Sequence, residues 1–253
     1  MARALRSMLW RAVAYAVVLE LMLIPAILYF PEFEKHTRQL RAMAPLPVLR
    51  DIVDTLEEGG VFAYVTGQHF FKGCNTLGTA AAVLLAAGAV AGEVHRGTFE
   101  IWLARPVSRV RLLTERWIQG ALAVTLPVVA TTLSIPWLLT KVGYALPYSP
   151  LLLSAVQQCA MLLAIYSTTF FLSTLARAPM GIAFAMLVFT IFQFAVYLVE
   201  RMTHWSLFRL TDVERFLDIQ RTGGFDWRAL GPLVFVTLAM YVASLVSFAR
   251  RTP

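Results

Sequence analysis

The chain has 253 residues, 58% hydrophobic and only 15% charged, with a formal net charge of +7 at pH 7. A soluble domain carries about 25% charged residues, so this deficit excludes an ordinary water-soluble fold and points to a bilayer as solvent. The basic balance alone would suit nucleic acid, but the charges sit in short stretches between apolar blocks, which excludes that partner and suits anionic lipid.

Six apolar blocks are almost free of charge: Ala12–Phe30, Cys74–Gly92, Trp117–Thr140, Leu151–Ala176, Met180–Val199 and Leu230–Ala249. Each is 19 to 26 residues long, and roughly 20 residues cross about 30 Å of hydrocarbon. Within lipid every backbone polar group must be satisfied inside its own segment, so the blocks predict helices. The period-two alternation of a membrane barrel is absent. The fold class is therefore an all-α membrane protein, one transmembrane domain over residues 1–253 with six spans.

In chain order, Arg3, Arg6 and Arg11 precede the first span. That span is longer than a signal-peptide core, and Pro31-Glu32-Phe33-Glu34 offers no small-residue cleavage site, so it reads as an uncleaved anchor. Glu20 falls near its middle, where a charge costs about 2.5–3.5 kcal/mol. It reads either as a polar contact on a translocation path or partner face, or as a protonated or locally paired group that serves packing. Pro25 removes a backbone donor and predicts a kink, as do Pro127 and Pro136 in the third span.

Residues 31–73 are too many for a plain connector. Within them Pro47, followed by Val48, Leu49, Ile52, Val53 and Leu56, marks an amphipathic helix that Gly59-Gly60 stops. The second span ends on Gly88-x-x-x-Gly92, a spacing that predicts close helix packing. Cys74 and Cys159 lie on different spans, outside any CxxC, and read as small buried apolar residues. Gln157, Gln158 and Gln193, on spans four and five, predict bonds across helices. Gln193, with Glu20, is also a candidate lining of a path. In the last outer segment, residues 200–229, Thr211 and Glu214 fit a capping box for a helix Thr211–Gln220. Its stripe is Val213, Phe216 and Leu217, and Gly223-Gly224 ends it. Trp205, Phe208 and Trp227 suit the membrane–water boundary. The two outer amphipathic helices read as packing that closes this side, or as a vestibule for substrate.

Charge orients the spans. If the N-terminus is cytoplasmic, the inner segments 1–11, 93–116, 177–179 and 250–253 hold 11 Arg, no Lys and 3 acids. The outer segments 31–73, 141–150 and 200–229 hold 11 basic and 11 acidic residues. Basic density therefore puts both termini inside.

Catalytic and metal chemistry find no support. The four histidines are scattered, and neither HExxH, a Cys/His cluster nor Gly-x-Ser-x-Gly occurs. Lys35, Lys72 and Lys141 are the only lysines, and none follows a glycine. A P-loop needs Gly-Lys-Ser/Thr, so ATP chemistry belongs to a partner or is not involved.

The inner segment 93–116 joins spans two and three. Phe99, Trp102 and Leu103 fall on one helical face, with Arg96 and Glu100 turned elsewhere. Pro106 ends that helix and Ser108 can cap a new one running through Arg109 into span three. The sequence Glu93, Gly97, Thr98, Phe99, Glu100, then Pro106, Val107, Ser108, Arg109 and Arg116, resembles the ABC-2 permease family. That pattern runs acidic-x-x-x-Gly-Thr-hydrophobic-Glu, a hydrophobic run, Pro-Val-Ser-Arg and a basic residue. Departures are His95, where an acid is frequent, and Arg116, where lysine is usual.

The resemblance implies six spans with both termini inside, two permease subunits (identical or related) and two separate nucleotide-binding ATPase subunits that hold ATP and Mg. Helix 93–104 would be an amphipathic coupling helix seated in the ATPase. The turn Leu175–Met180, with Arg177 and Pro179, would be a second, smaller contact. The implied function is export of a substrate across a bacterial cytoplasmic (inner) membrane, with no enzyme activity and no cofactor in this chain. The alternative is a force-transmitting assembly subunit of a cell-surface machine that docks an ATPase but moves no solute.

Overall fold

The computed structural model of the chain describes residues 2–43, 47–103 and 107–250. Ten α-helices are present among them: α1 (Ala2–Met43), α2 (Pro47–Thr66), α3 (Thr79–Ala87), α4 (Ala91–His95), α5 (Phe99–Leu103), α6 (Arg109–Thr140), α7 (Tyr148–Leu175), α8 (Pro179–Tyr197), α9 (Val213–Thr222) and α10 (Trp227–Arg250). A π-helical segment, Gly67–Gly78, joins α2 to α3, and two 3-10 turns lie between α8 and α9. Six stretches are long and apolar enough to span a membrane: Met8–His36, Val53–Ala87, Arg109–Thr140, Tyr148–Leu175, Pro179–Tyr197 and Trp227–Arg250. Helical structure runs through Pro25 and Pro31 in α1 and through Pro127 and Pro136 in α6.

α7 is the central post. Its most apolar window is 72% buried, against 28% for α1 and for α10, and it packs on α3, α6 and α10. The outer faces carry large exposed side chains such as Phe184, Ile191, Phe192 and Phe235. In water such a surface would aggregate; in a bilayer it is the solvated face.

The second span departs from the expected Cys74–Gly92: it begins at Val53 and stops at Ala87. Gly60 takes φ 57 and ψ −145, a non-helical break at which one helix ends and a second starts in a new direction, as the Gly59-Gly60 pair predicts. The following π segment buries His69, Phe70, Gly73, Cys74, Asn75 and Gly78, a recurrence of four to five residues. That spacing suits i→i+5 winding, and reading it against the α period truncated the span. Both cysteines are buried and free.

The start of the second span and α9 pack on one another. A Cβ at Gly59 would stand 2.7 Å from a Leu217 methyl, and the Phe70 and Phe216 rings meet at 5.1 Å. The stripe Val213, Phe216 and Leu217 is buried as expected. The cap is one residue later: Asp212, not Thr211, accepts from the Arg215 N–H at 3.0 Å. Thr211 is fully buried and turns its hydroxyl to Asn75 Oδ1 instead. Gly223, left-handed at φ 65, ends α9.

Burial is the largest influence on Asp212 and pushes its carboxyl up to about 7, against the Arg215 N–H bond, Glu214 adding to the rise and Arg215 and Arg209 opposing it. The fold therefore holds this proton more tightly than the unfolded chain, whose aspartates titrate near about 3.9. Its contribution is full below that value and is lost as pH rises through about 7. Asp212→Asn keeps the cap and cannot ionise. The variant should match the parent at pH ~3.5 and unfold at a higher temperature at pH ~8.5. Thermal unfolding in detergent micelles reads this, and a parental advantage at the alkaline value would refute the buried-acid assignment.

Candidate functional site

The helix ladder breaks between α3 and α4, which orphans backbone groups at both ends. Ser173 of α7, fully buried, fills the break. Its Oγ accepts from the N–H groups of Val90 and Ala91, at 3.1 and 3.0 Å, and donates to the Ala87 carbonyl at 2.8 Å. One hydroxyl on the central post thus holds the start of the inner segment.

α4 ends in a Schellman turn. The Thr98 N–H donates to the Glu93 carbonyl at 3.0 Å, and the Gly97 N–H donates to that of Val94 at 3.1 Å. Gly97 stands between them at φ 69, a conformation that a side chain strains. The expected continuous helix 93–104 is therefore two short helices, because the left-handed residue at 97 cannot propagate one. The turn also brings the Thr98 hydroxyl to the Glu93 carboxylate at 2.6 Å. The same carboxylate receives Arg96 and, from α6, Arg116, each at 3.0 Å. Burial alone would raise the Glu93 carboxyl, but the Thr98 bond and the Arg116 and Arg96 charges outweigh it and hold it below the ordinary range. The acidic-x-x-x-Gly-Thr spacing thus has a local cause: acid and threonine share one turn and one hydrogen bond.

α5 leans on the end of α10. Phe99 is buried edge-on to Phe248, with ring centroids 6.1 Å apart. Glu100 is exposed, and Ile101 is 72% exposed. The side chains of Trp102 and Leu103, and all of Pro106, lie outside the described residues. Ser108 caps α6 as expected, accepting from the Arg111 N–H at 3.2 Å. Arg109 donates to the Ala249 carbonyl of α10 at 3.2 Å, satisfying a group the helix end leaves open. The first turns of α6 are tied further by Thr114 to Tyr241 of α10, at 2.7 Å, and by Trp117 Nε1, which donates to Ser167 of α7 at 3.0 Å.

Arg177 is exposed in the turn between α7 and α8, which meets the same end of the molecule through Pro179. The start of α1 and the end of α10 are also at this end. Glu20 and Gln193 are not brought together. Glu20, half-buried, lies 2.8 Å from the Ser134 hydroxyl of α6. Gln193 Oε1 accepts from the Leu207 N–H at 3.0 Å and so holds the 3-10 turn Leu207–Thr211. Gln157 reaches the Leu210 carbonyl and Gln158 reaches Asn75, pinning the π segment and the 3-10 turn Leu207–Thr211 to α7. Gly88 and Gly92 do not pack against a helix: a Cβ at Gly88 would meet only its own Leu84 carbonyl, at 3.7 Å. Close approach happens at Gly78 and Gly120 instead, against Tyr15 and Tyr166. Sequence reasoning missed Ser173 altogether; its only signal was the run of hydroxyl residues in an otherwise apolar span.

The described part of this segment is thus a short helix, exposed at Glu100 and Ile101, with described residues on either side of it bonded to α6, α7 and α10. No curated protein matches the chain. The sequence model of the family described as ABC-2 family transporter protein matches residues 29–252, from within α1 to beyond α10. By that match, over most of its length, the chain belongs to the ABC-2 family of transporter membrane proteins and is a multi-pass, permease-type subunit.

Proposed function

We propose that this permease exports its substrate across a bacterial cytoplasmic membrane, driven by ATP hydrolysed on a separate nucleotide-binding subunit that grips α5. The permease works in pairs, and ATP and Mg are bound wholly by the ATPase. One observation carries the reading: α5 offers Glu100 and Ile101 to solvent while its flanks are fixed to α6, α7 and α10. A load applied at α5 therefore reaches α6 and α7 through the Glu93 turn and α10 through Phe99. The acidic and apolar pair suits a basic-rimmed groove on a soluble protein.

Two substitutions test it. Gly97→Pro removes the N–H that closes the Schellman turn and forbids φ 69. Glu100→Arg reverses the exposed charge without touching the fold. Both chains should insert in the membrane normally and copurify with the cognate ATPase at about a tenth or less of the parental yield. Normal copurification by both would remove α5 from the coupling role.

A further inference from the structure

Beside the inner segment a cavity of about 460 Å³ opens between α1, α3, α4, α6 and α8. Arg11, Arg96 and Arg116 line it with one carboxylate, Glu93. Glu93 is already bonded to Arg96, Arg116 and Thr98. Arg11 is exposed to the cavity and makes no hydrogen bond or ion pair among the described residues. The lining is thus three guanidinium groups against one acid, near the ends of four of the apolar spans, α1, α3, α6 and α8. Guanidinium groups match phosphate oxygens in paired donor geometry, where a lysine would offer only a point charge.

Another part of the lining is apolar and exposed. Leu84 of α3 and Met180 of α8 are 58% and 76% exposed, and both line the cavity. Between the basic and apolar parts lies Gly88, whose missing side chain leaves the floor clear. A Cβ at Gly92 would instead meet the Arg96 guanidinium, at 3.8 Å. A basic pocket between spans that continues into a greasy exit fits an anionic headgroup with an acyl chain.

We propose that this cavity binds one anionic phospholipid, with its phosphate among Arg11, Arg96 and Arg116 and its chain leaving between α3 and α8 past Leu84 and Met180. The site requires only that these helix ends meet a bilayer surface, and it stands whether or not an ATPase docks at Glu100.

The purified chain in detergent, doped with phosphatidylglycerol or phosphatidylcholine, is examined by native mass spectrometry. One phosphatidylglycerol should be retained about tenfold more strongly than phosphatidylcholine, and inorganic phosphate should not displace it. Arg11→Gln, a surface change, should weaken retention about fivefold, the worth of one basic residue near a lipid surface. Gly88→Phe should abolish the preference with all three arginines in place, its unfolding temperature reporting that the chain still folds. Equal retention of the two lipids, parental retention in Arg11→Gln, parental retention in a folded Gly88→Phe, or displacement by inorganic phosphate would each overturn the proposal.

Discussion

Glu93→Gln should lower the unfolding temperature and cut transport about tenfold or more, while the chain still reaches the membrane. The carboxylate is the hub of the inner segment, and its two arginines do not contribute equally. Arg96 is 61% exposed at its side chain, so solvent screens that pair to a few tenths of a kcal/mol. Arg116 is 29% exposed and Glu93 only 14%, which makes theirs the consequential bond, about 1.5–3 kcal/mol for a charge-assisted contact. The glutamine amide can still accept from Thr98, so the loss isolates the charge. Arg116→Gln should therefore resemble Glu93→Gln, and Arg96→Gln should be nearly silent. A double-mutant cycle on Glu93 and Arg116 should return a coupling of at least about 1 kcal/mol. Additive effects would show that the two side chains act separately. Because the folded state holds this carboxyl below its ordinary range, the stabilisation is complete at neutral pH. It fades only on acidification below the usual glutamate values, as pH falls through the depressed one.

The number and class of the spans were legible because apolar length is a direct physical demand of the bilayer, and six blocks met it without any tertiary information. The family motif was legible for a related reason: its residues interact within one turn, so Glu93, Gly97 and Thr98 lie close in sequence as well as in space. Reasoning failed where period or distance changed. The π segment carries its buried residues at four to five, and an α-helical template discards that spacing. The break at Gly97 was read as continuous because glycine is tolerated in a helix pattern, and only φ 69 reveals its left-handed role. Ser173 sits more than eighty residues from the backbone groups it satisfies, a separation that no local pattern encodes. The shift of the α9 cap from Thr211 to Asp212 was a choice between adjacent residues of similar propensity, decided by Thr211 turning to Asn75.

Gly120→Leu should leave little folded protein, with the chain degraded or aggregated on extraction. A Cβ at this position would overlap the Tyr166 hydroxyl and lie 2.6 and 2.7 Å from its Cζ and Cε2 carbons. Tyr166 cannot swing away: it is 1% exposed, packed near Trp117 and Phe170, with its hydroxyl 3.2 Å from the Trp117 carbonyl as donor. Either α6 parts from α7 or the ring leaves its well, and overpacking a tight core commonly costs about 1–3 kcal/mol even where neighbours can adjust. The obstruction includes ring carbons, so removing the hydroxyl alone is insufficient. Tyr166→Phe should not rescue Gly120→Ala, whereas Tyr166→Leu should recover part of the lost unfolding temperature. Gly88→Ala, at the open glycine, should be tolerated throughout. If Gly120→Ala alone behaves like Gly88→Ala, the α6–α7 contact is looser than this packing requires. The spans would then lack the stiffness needed to carry a load from α5 across the membrane.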